Sequence, residues 1–163
     1  MTTFTAWKFE TVDGAETASG ILREAAGEGL IKIEDYAVVE WTAGDDRPKV
    51  KYEHRDDWRA TGWGALLGAL AGVLFFLPLI GAAAGAAIGL LVKRMDDAGI
   101  SKEQLDRIGK EVVPGTSALF VVNSEAETDR DRLAERFHGL NGTLIASNLV
   151  SVDEDTVRQS FQD

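Results

Sequence analysis

Residues Gly62–Val92 read GWGALLGALAGVLFFLPLIGAAAGAAIGLLV, 31 positions without one charged side chain. About twenty consecutive apolar residues suffice to cross a hydrocarbon core, so the run is long enough to be weighed as a membrane segment. Its glycines are periodic. Gly64, Gly68 and Gly72 recur every fourth residue before Pro78, and Gly81, Gly85 and Gly89 do the same after it. On a helix that spacing places the three glycines of each half on one face, where a second backbone can come close.

One continuous helix over this run would be roughly 45 Å long against a core of about 30 Å. It would also carry Pro78 in its middle, where proline removes a hydrogen bond and disfavours helical geometry at Leu77. Two helices of about fifteen residues, each roughly 22 Å and too short to cross alone, fit the punctuation better. The expectation is an apolar helical hairpin whose tip is Phe75, Phe76, Leu77, Pro78 and Leu79.

Working outward, Arg55 and Arg59 precede the run, and Lys93 and Arg94 follow it. Cations at both ends of an apolar loop suit entry and exit on the cytoplasmic side. Asp56, Asp57, Asp96 and Asp97 lie among them and dilute that bias. Trp58, Trp63, Lys93 and Arg94 are the expected membrane-interface residues. Lipid offers no partner to the backbone groups of a turn, so the tip is expected to pack against other copies of itself. The six spaced glycines, Gly64, Gly68, Gly72, Gly81, Gly85 and Gly89, are then the expected oligomer contacts.

The 163-residue chain carries 17 basic and 27 acidic residues, a formal charge of −10, which argues against nucleic acid as a partner. It has no cysteine, and so no disulfide, thiolate nucleophile or thiolate metal site. The start, MTTFTAWKFETVDG, lacks the basic and apolar regions of a signal peptide. The expected location is the cell membrane with the remainder of the chain cytoplasmic. The alternative is a soluble cytoplasmic assembly.

Outside the apolar run, the patterning is that of a small folded domain. Thr5–Glu10 reads as a strand with Trp7 and Phe9 on one face. Ala18, Ile21, Leu22 and Ala25 stand at helical spacing within Ala15–Ala26, and Gly27 and Gly29 close that helix. Asp35–Thr42 is rich in branched and aromatic residues and reads as a strand. The turn chemistry of Ala43–Pro48 joins it to Lys49–His54, a hairpin strand with one wet face. Ser101 and Gln104 have capping-box spacing for a helix lined by Leu105, Ile108 and Val112. Ser117–Asn123 reads as a central strand, Thr128–His138 as a helix with Leu133, Ala134 and Phe137 inward, and Thr143–Ser147 as a strand after the Asn141–Gly142 turn. Ser151 and Glu154 would cap a last helix carrying Val157 and Phe161.

Phe9–Gly29 and Val121–Gly142 echo one another: strand end, acidic turn, amphipathic helix, glycine, strand. Two strand–helix–strand units build a ferredoxin-like sheet. The expected fold is therefore α+β, a ferredoxin-like, pseudo-duplicated sheet-and-helix domain with an inserted glycine-zipper hairpin. Residues 1–61 and 96–163 are its two halves and 62–95 the insert. Strands of one sheet must share one side of any bilayer, which independently favours a hairpin over a single span.

Several blocks carry a family resemblance: DYAVVEW (Asp35–Trp41), PLIGAAAGAAIG (Pro78–Gly89), DAGI (Asp97–Ile100) and VVPGTSALFVV (Val112–Val122). In this order they resemble the bacterial and archaeal domain-of-unknown-function family 1269. The resemblance implies a glycine-rich, membrane-type protein without assigned chemistry, and it supplies no catalytic residue.

The residues themselves offer little chemistry. His54 and His138 are the only histidines, and no metal-ligand spacing surrounds them. Ser117 follows Pro114-Gly115-Thr116 but lacks the turn that presents a nucleophilic serine, so it reads as a strand entry. The same loop would offer N–H groups to an anion, although a plain loop is the simpler reading. Asn141-Gly142-Thr143 matches a glycosylation acceptor and reads as a turn. No catalytic residue, metal, cofactor or small-molecule substrate is expected. The function expected is a non-enzymatic homo-oligomer whose hairpins cluster in or at a lipid membrane, in scaffolding or membrane maintenance. A water-soluble ring, cage or filament burying the hairpins is the first alternative. An oligomeric channel with Asp56, Asp57, Asp96 and Asp97 at its mouth is the second.

Overall fold

The computed structural model describes residues 2–53, 67–68, 70–72, 85–124, 129–148 and 158. Their elements run β1 (Thr2–Phe9), α1 (Gly14–Gly27), β2 (Lys32–Glu40), β3 (Lys49–Glu53), α2 (Gly85–Asp97), α3 (Lys102–Glu111), β4 (Ser117–Ser124), α4 (Arg130–Phe137) and β5 (Thr143–Ser147). The strands form one five-stranded sheet of order β3-β2-β4-β1-β5, and every neighbouring pair is antiparallel. This is the α+β, ferredoxin-like arrangement that the two echoed units lead one to expect. β3 is added as a fifth strand on the β2 edge.

β4 sits between β1 and β2, and the sequence shows why. Ala118, Phe120 and Val122 point to one face while Leu119 and Val121 point to the other, and all five are buried. An unbroken apolar run suits a strand covered on both faces. Phe120 stacks on Phe4 of β1, with ring centroids 6.3 Å apart.

Each face has its own cover. On one, Ala15, Ala18, Leu22 and Ala25 of α1 and Phe137 of α4 pack on Trp7, Phe9, Val38, Leu119 and Leu144. On the other, Leu105 and Ile108 of α3 pack on Phe4, Ala6, Ala37, Val39, Phe120 and Ile145. Leu67, Leu70 and Ala71 of the apolar run join that second core, as does Met95 just past the run's end, with Val92 packed against it.

Element limits differ from the sequence reading where local signals were overridden. β1 begins at Thr2 and β2 at Lys32, three residues earlier than expected in each case, because both pair with the far end of β4. A register shift between Ile33 and Asp35 hides the alternation of β2. β2 stops at Glu40, since Trp41 leaves the ladder: its N–H donates to the Thr116 carbonyl and its carbonyl accepts from the Gly115 N–H. α4 starts at Arg130 rather than Thr128, because the Asp129 side chain caps it by accepting from the Arg132 N–H. Leu133 and Ala134 are only half-buried, and Phe137 is the residue of α4 that is fully inward. The expected C-terminal helix lies outside the described residues, save that Arg158 is helical.

Candidate functional site

The apolar run meets the domain at two places on the same sheet face. Residues 67, 68 and 70–72 are helical, and Leu67, Leu70 and Ala71 stand at i, i+3 and i+4, one stripe of a helix. That stripe is buried in the second core, whereas Gly68 and Gly72 lie beside it and are half-exposed. On the return, Met95 is buried and Val92 packs against the same core. The described residues at both ends of the run thus belong to the domain core.

Three of the spaced glycines face open space. A Cβ built on Gly68, Gly72 or Gly89 meets nothing within 4 Å. Gly85 opens α2 and Gly89 lies one turn on, beside Leu90, which is 56% exposed. Lys93 and Arg94 are exposed in the following turn, and among the described residues no carboxylate lies within ion-pair distance of either. Gly64, Gly81, the tip Phe75–Leu79, Trp58 and Trp63 lie outside the described residues, as do Asp56, Asp57 and His54.

α2 is held where it ends. The Gly99 N–H donates to the Asp96 carbonyl and the Ile100 N–H to the Met95 carbonyl, with Gly99 at φ +90°, while Met95 and Ile100 are both buried. That pair of bonds and that apolar contact are how a helix stops on a left-handed glycine. α1 stops the same way, through Gly29 and Leu30 bonding to Ala26 and Ala25. Asn148, just past β5, then fastens the α2 turn to the sheet. Its Nδ2 donates to the carbonyls of Ala98 and Thr2, and its Oδ1 accepts from the Phe4 N–H.

The groups considered for chemistry have structural duties. The Ser117 hydroxyl is fully buried, donates to the Thr11 carbonyl and accepts from the Ala15 N–H at the start of α1. In the Pro114–Ser117 loop, the Gly115 N–H goes to Trp41 and the Thr116 N–H to Val113. Ser101 caps α3 by accepting from the Gln104 N–H. The Gln104 side chain, however, does not complete a capping box, because its Oε1 accepts instead from the Ser147 N–H on the β5 edge. Asp96 and Asp97 are exposed at the end of α2. Among the described residues no group of three His, Asp or Glu side chains is placed to hold a metal.

Sequence reasoning missed Asn148 altogether and gave Gln104 the wrong partner. Asn148 carries no local signal, since its partners lie 50 to 146 residues away.

The chain matches the family model described as "Protein of unknown function (DUF1269)" over residues 61–162 and belongs to that family. The match takes in the glycine-spaced block, Asp97–Ile100 and Val112–Val122, while Asp35–Trp41 lies before it. No curated protein and no solved structure matches the chain.

Proposed function

We propose that this DUF1269 protein is a non-enzymatic, self-assembling protein whose glycine-spaced apolar segments cluster in or at a membrane. The observation that carries the reading is the open space at Gly68, Gly72 and Gly89. Glycine inside a helix costs about 1 kcal/mol relative to alanine. Among the described residues nothing at these three positions requires the missing side chain. A second backbone lying against them supplies the reason, as small-residue faces do between helices.

Length argues for "in or at" rather than "across". Ala71 and Val92 are tied to the core, which leaves the twenty residues 72–91, none of them charged. Doubled back as helix, they reach about 15 Å, half of a core of about 30 Å. Among the described residues no helix is long and apolar enough to cross a membrane.

The test is the mass of the full-length protein in mild detergent, compared with Gly68→Leu/Gly72→Leu. Both positions are open, so the protomer tolerates the change. The assembly should fall to smaller species, and an unchanged mass would refute contact through these glycines. The net charge of −10 favours a second reading, a water-soluble assembly that buries its apolar segments centrally. Vesicle flotation separates the two, because that assembly stays with the aqueous phase.

A further inference from the structure

We infer that Lys93 and Arg94 form the contact site for anionic lipid headgroups, which holds the apolar segment in one leaflet; the inference rests on the membrane reading above. Both side chains are exposed on α2, in the turn that follows the exposed Leu90 and the last of the charge-free residues. They are the first charges met on leaving the apolar run.

Neither has an ion-pair partner among the described residues, so both charges are open to an anionic surface. Lys8 is paired with Glu10 and Glu111, Lys51 with Glu16 and Glu40, and Arg136 with Glu28, whereas the exposed Lys49, Lys102, Arg107 and Lys110 share the unpaired state of Lys93 and Arg94 among the described residues. What sets Lys93 and Arg94 apart is their place at the end of the apolar run. Asp96 and Asp97 follow at helix-neighbour spacing, yet neither comes within 4.0 Å of Lys93 or Arg94. Both carboxylates lie further along α2, towards the domain and beyond the buried Met95. The order from the apolar segment is therefore leucine, cations, carboxylates. That order matches hydrocarbon, phosphate and water across one side of a bilayer, with the long basic side chains reaching the phosphate level.

Each basic residue at an anionic surface contributes about 1 kcal/mol, so the pair should contribute about 30-fold in affinity. The experiment is flotation of the full-length protein with vesicles of phosphatidylcholine alone and of phosphatidylcholine mixed with phosphatidylglycerol, at low and high salt. Wild type should prefer the mixed vesicles and lose that preference at high salt. The variant Lys93→Gln/Arg94→Gln, altered only at exposed and unpaired positions, should bind the mixed vesicles about 30-fold more weakly and phosphatidylcholine equally well. Wild type that binds both vesicles alike, or a variant that keeps the preference, overturns the headgroup site while leaving the membrane reading intact. Failure to float with either vesicle overturns both.

Discussion

Asn148 donates from Nδ2 to the carbonyl of Ala98 at 3.2 Å, and so joins the end of β5 to the turn that closes α2. The same amide accepts from the Phe4 N–H at 2.9 Å, and the Asn148 backbone N–H donates to the Phe4 carbonyl at 3.2 Å. One residue therefore fixes the turn that closes α2 to both β1 and β5. Asn148→Ala leaves the Phe4 N–H and two carbonyls without this partner and should cost about 2 kcal/mol in urea unfolding. Amide exchange should rise selectively at 92–100. Exchange that rises equally throughout the sheet would mean that the amide supports the sheet and not α2.

Gly99 makes that junction possible. Its φ is +90°, and an added Cβ would meet the Asn148 Cβ at 3.1 Å. Gly44 is the natural control, at φ +93° with nothing within 4 Å. Alanine at Gly44 should cost about 1 kcal/mol, the penalty of left-handed backbone alone. Alanine at Gly99 should cost more, about 2 kcal/mol, because Asn148 must also give way. Chemical denaturation of the two single variants checks the difference, and equal losses would refute the contact.

Ser117 offers a prediction about chemistry as well as stability. Its hydroxyl donates to Thr11 at 2.6 Å and accepts from Ala15 at 2.9 Å, and it is fully buried. Ser117→Ala removes the acceptor for an orphan N–H of the first turn of α1 and should lower stability by about 2 kcal/mol. A serine-directed phosphonate probe should leave the wild-type protein unlabelled at this position, as mass spectrometry would report. Labelling there would overturn the purely structural role of Ser117.

What could be read in the chain, and what could not, divides by range. Trp7 and Phe9 on one face, Ser101 as a cap and β4 as the central strand follow from spacing alone, because each depends on neighbours within a turn or a strand. The echo between Phe9–Gly29 and Val121–Gly142 was enough to give the sheet its class. β2 was placed late because the shift between Ile33 and Asp35 breaks the alternation on which strand detection depends. Gln104 and Asn148 were misjudged or missed because their partners come from distant strands. The ends of the apolar run look like part of the insert for a similar reason: periodicity marks a residue as apolar without saying what covers it.

Leu70 decides that last point. As part of a freely projecting hairpin it would face lipid or another copy, and shortening it would leave the domain as stable as before. In the structure it is fully buried with Phe4, Phe120, Ile108 and Met95 on the sheet face covered by α3. Leu70→Ala should then open a cavity in the domain core and cost about 3 kcal/mol, the middle of the range for a buried leucine. Leu90→Ala, at a side chain 56% exposed, should cost the domain almost nothing. Urea unfolding of the two variants, followed by circular dichroism of the sheet, makes the comparison. Equal and negligible losses would move Leu70 out of the core and restore the full length of the run as insert. The expected inequality assigns the Leu67, Leu70 and Ala71 stripe to the domain core and leaves the open glycine face beside it, at Gly68 and Gly72, for a partner.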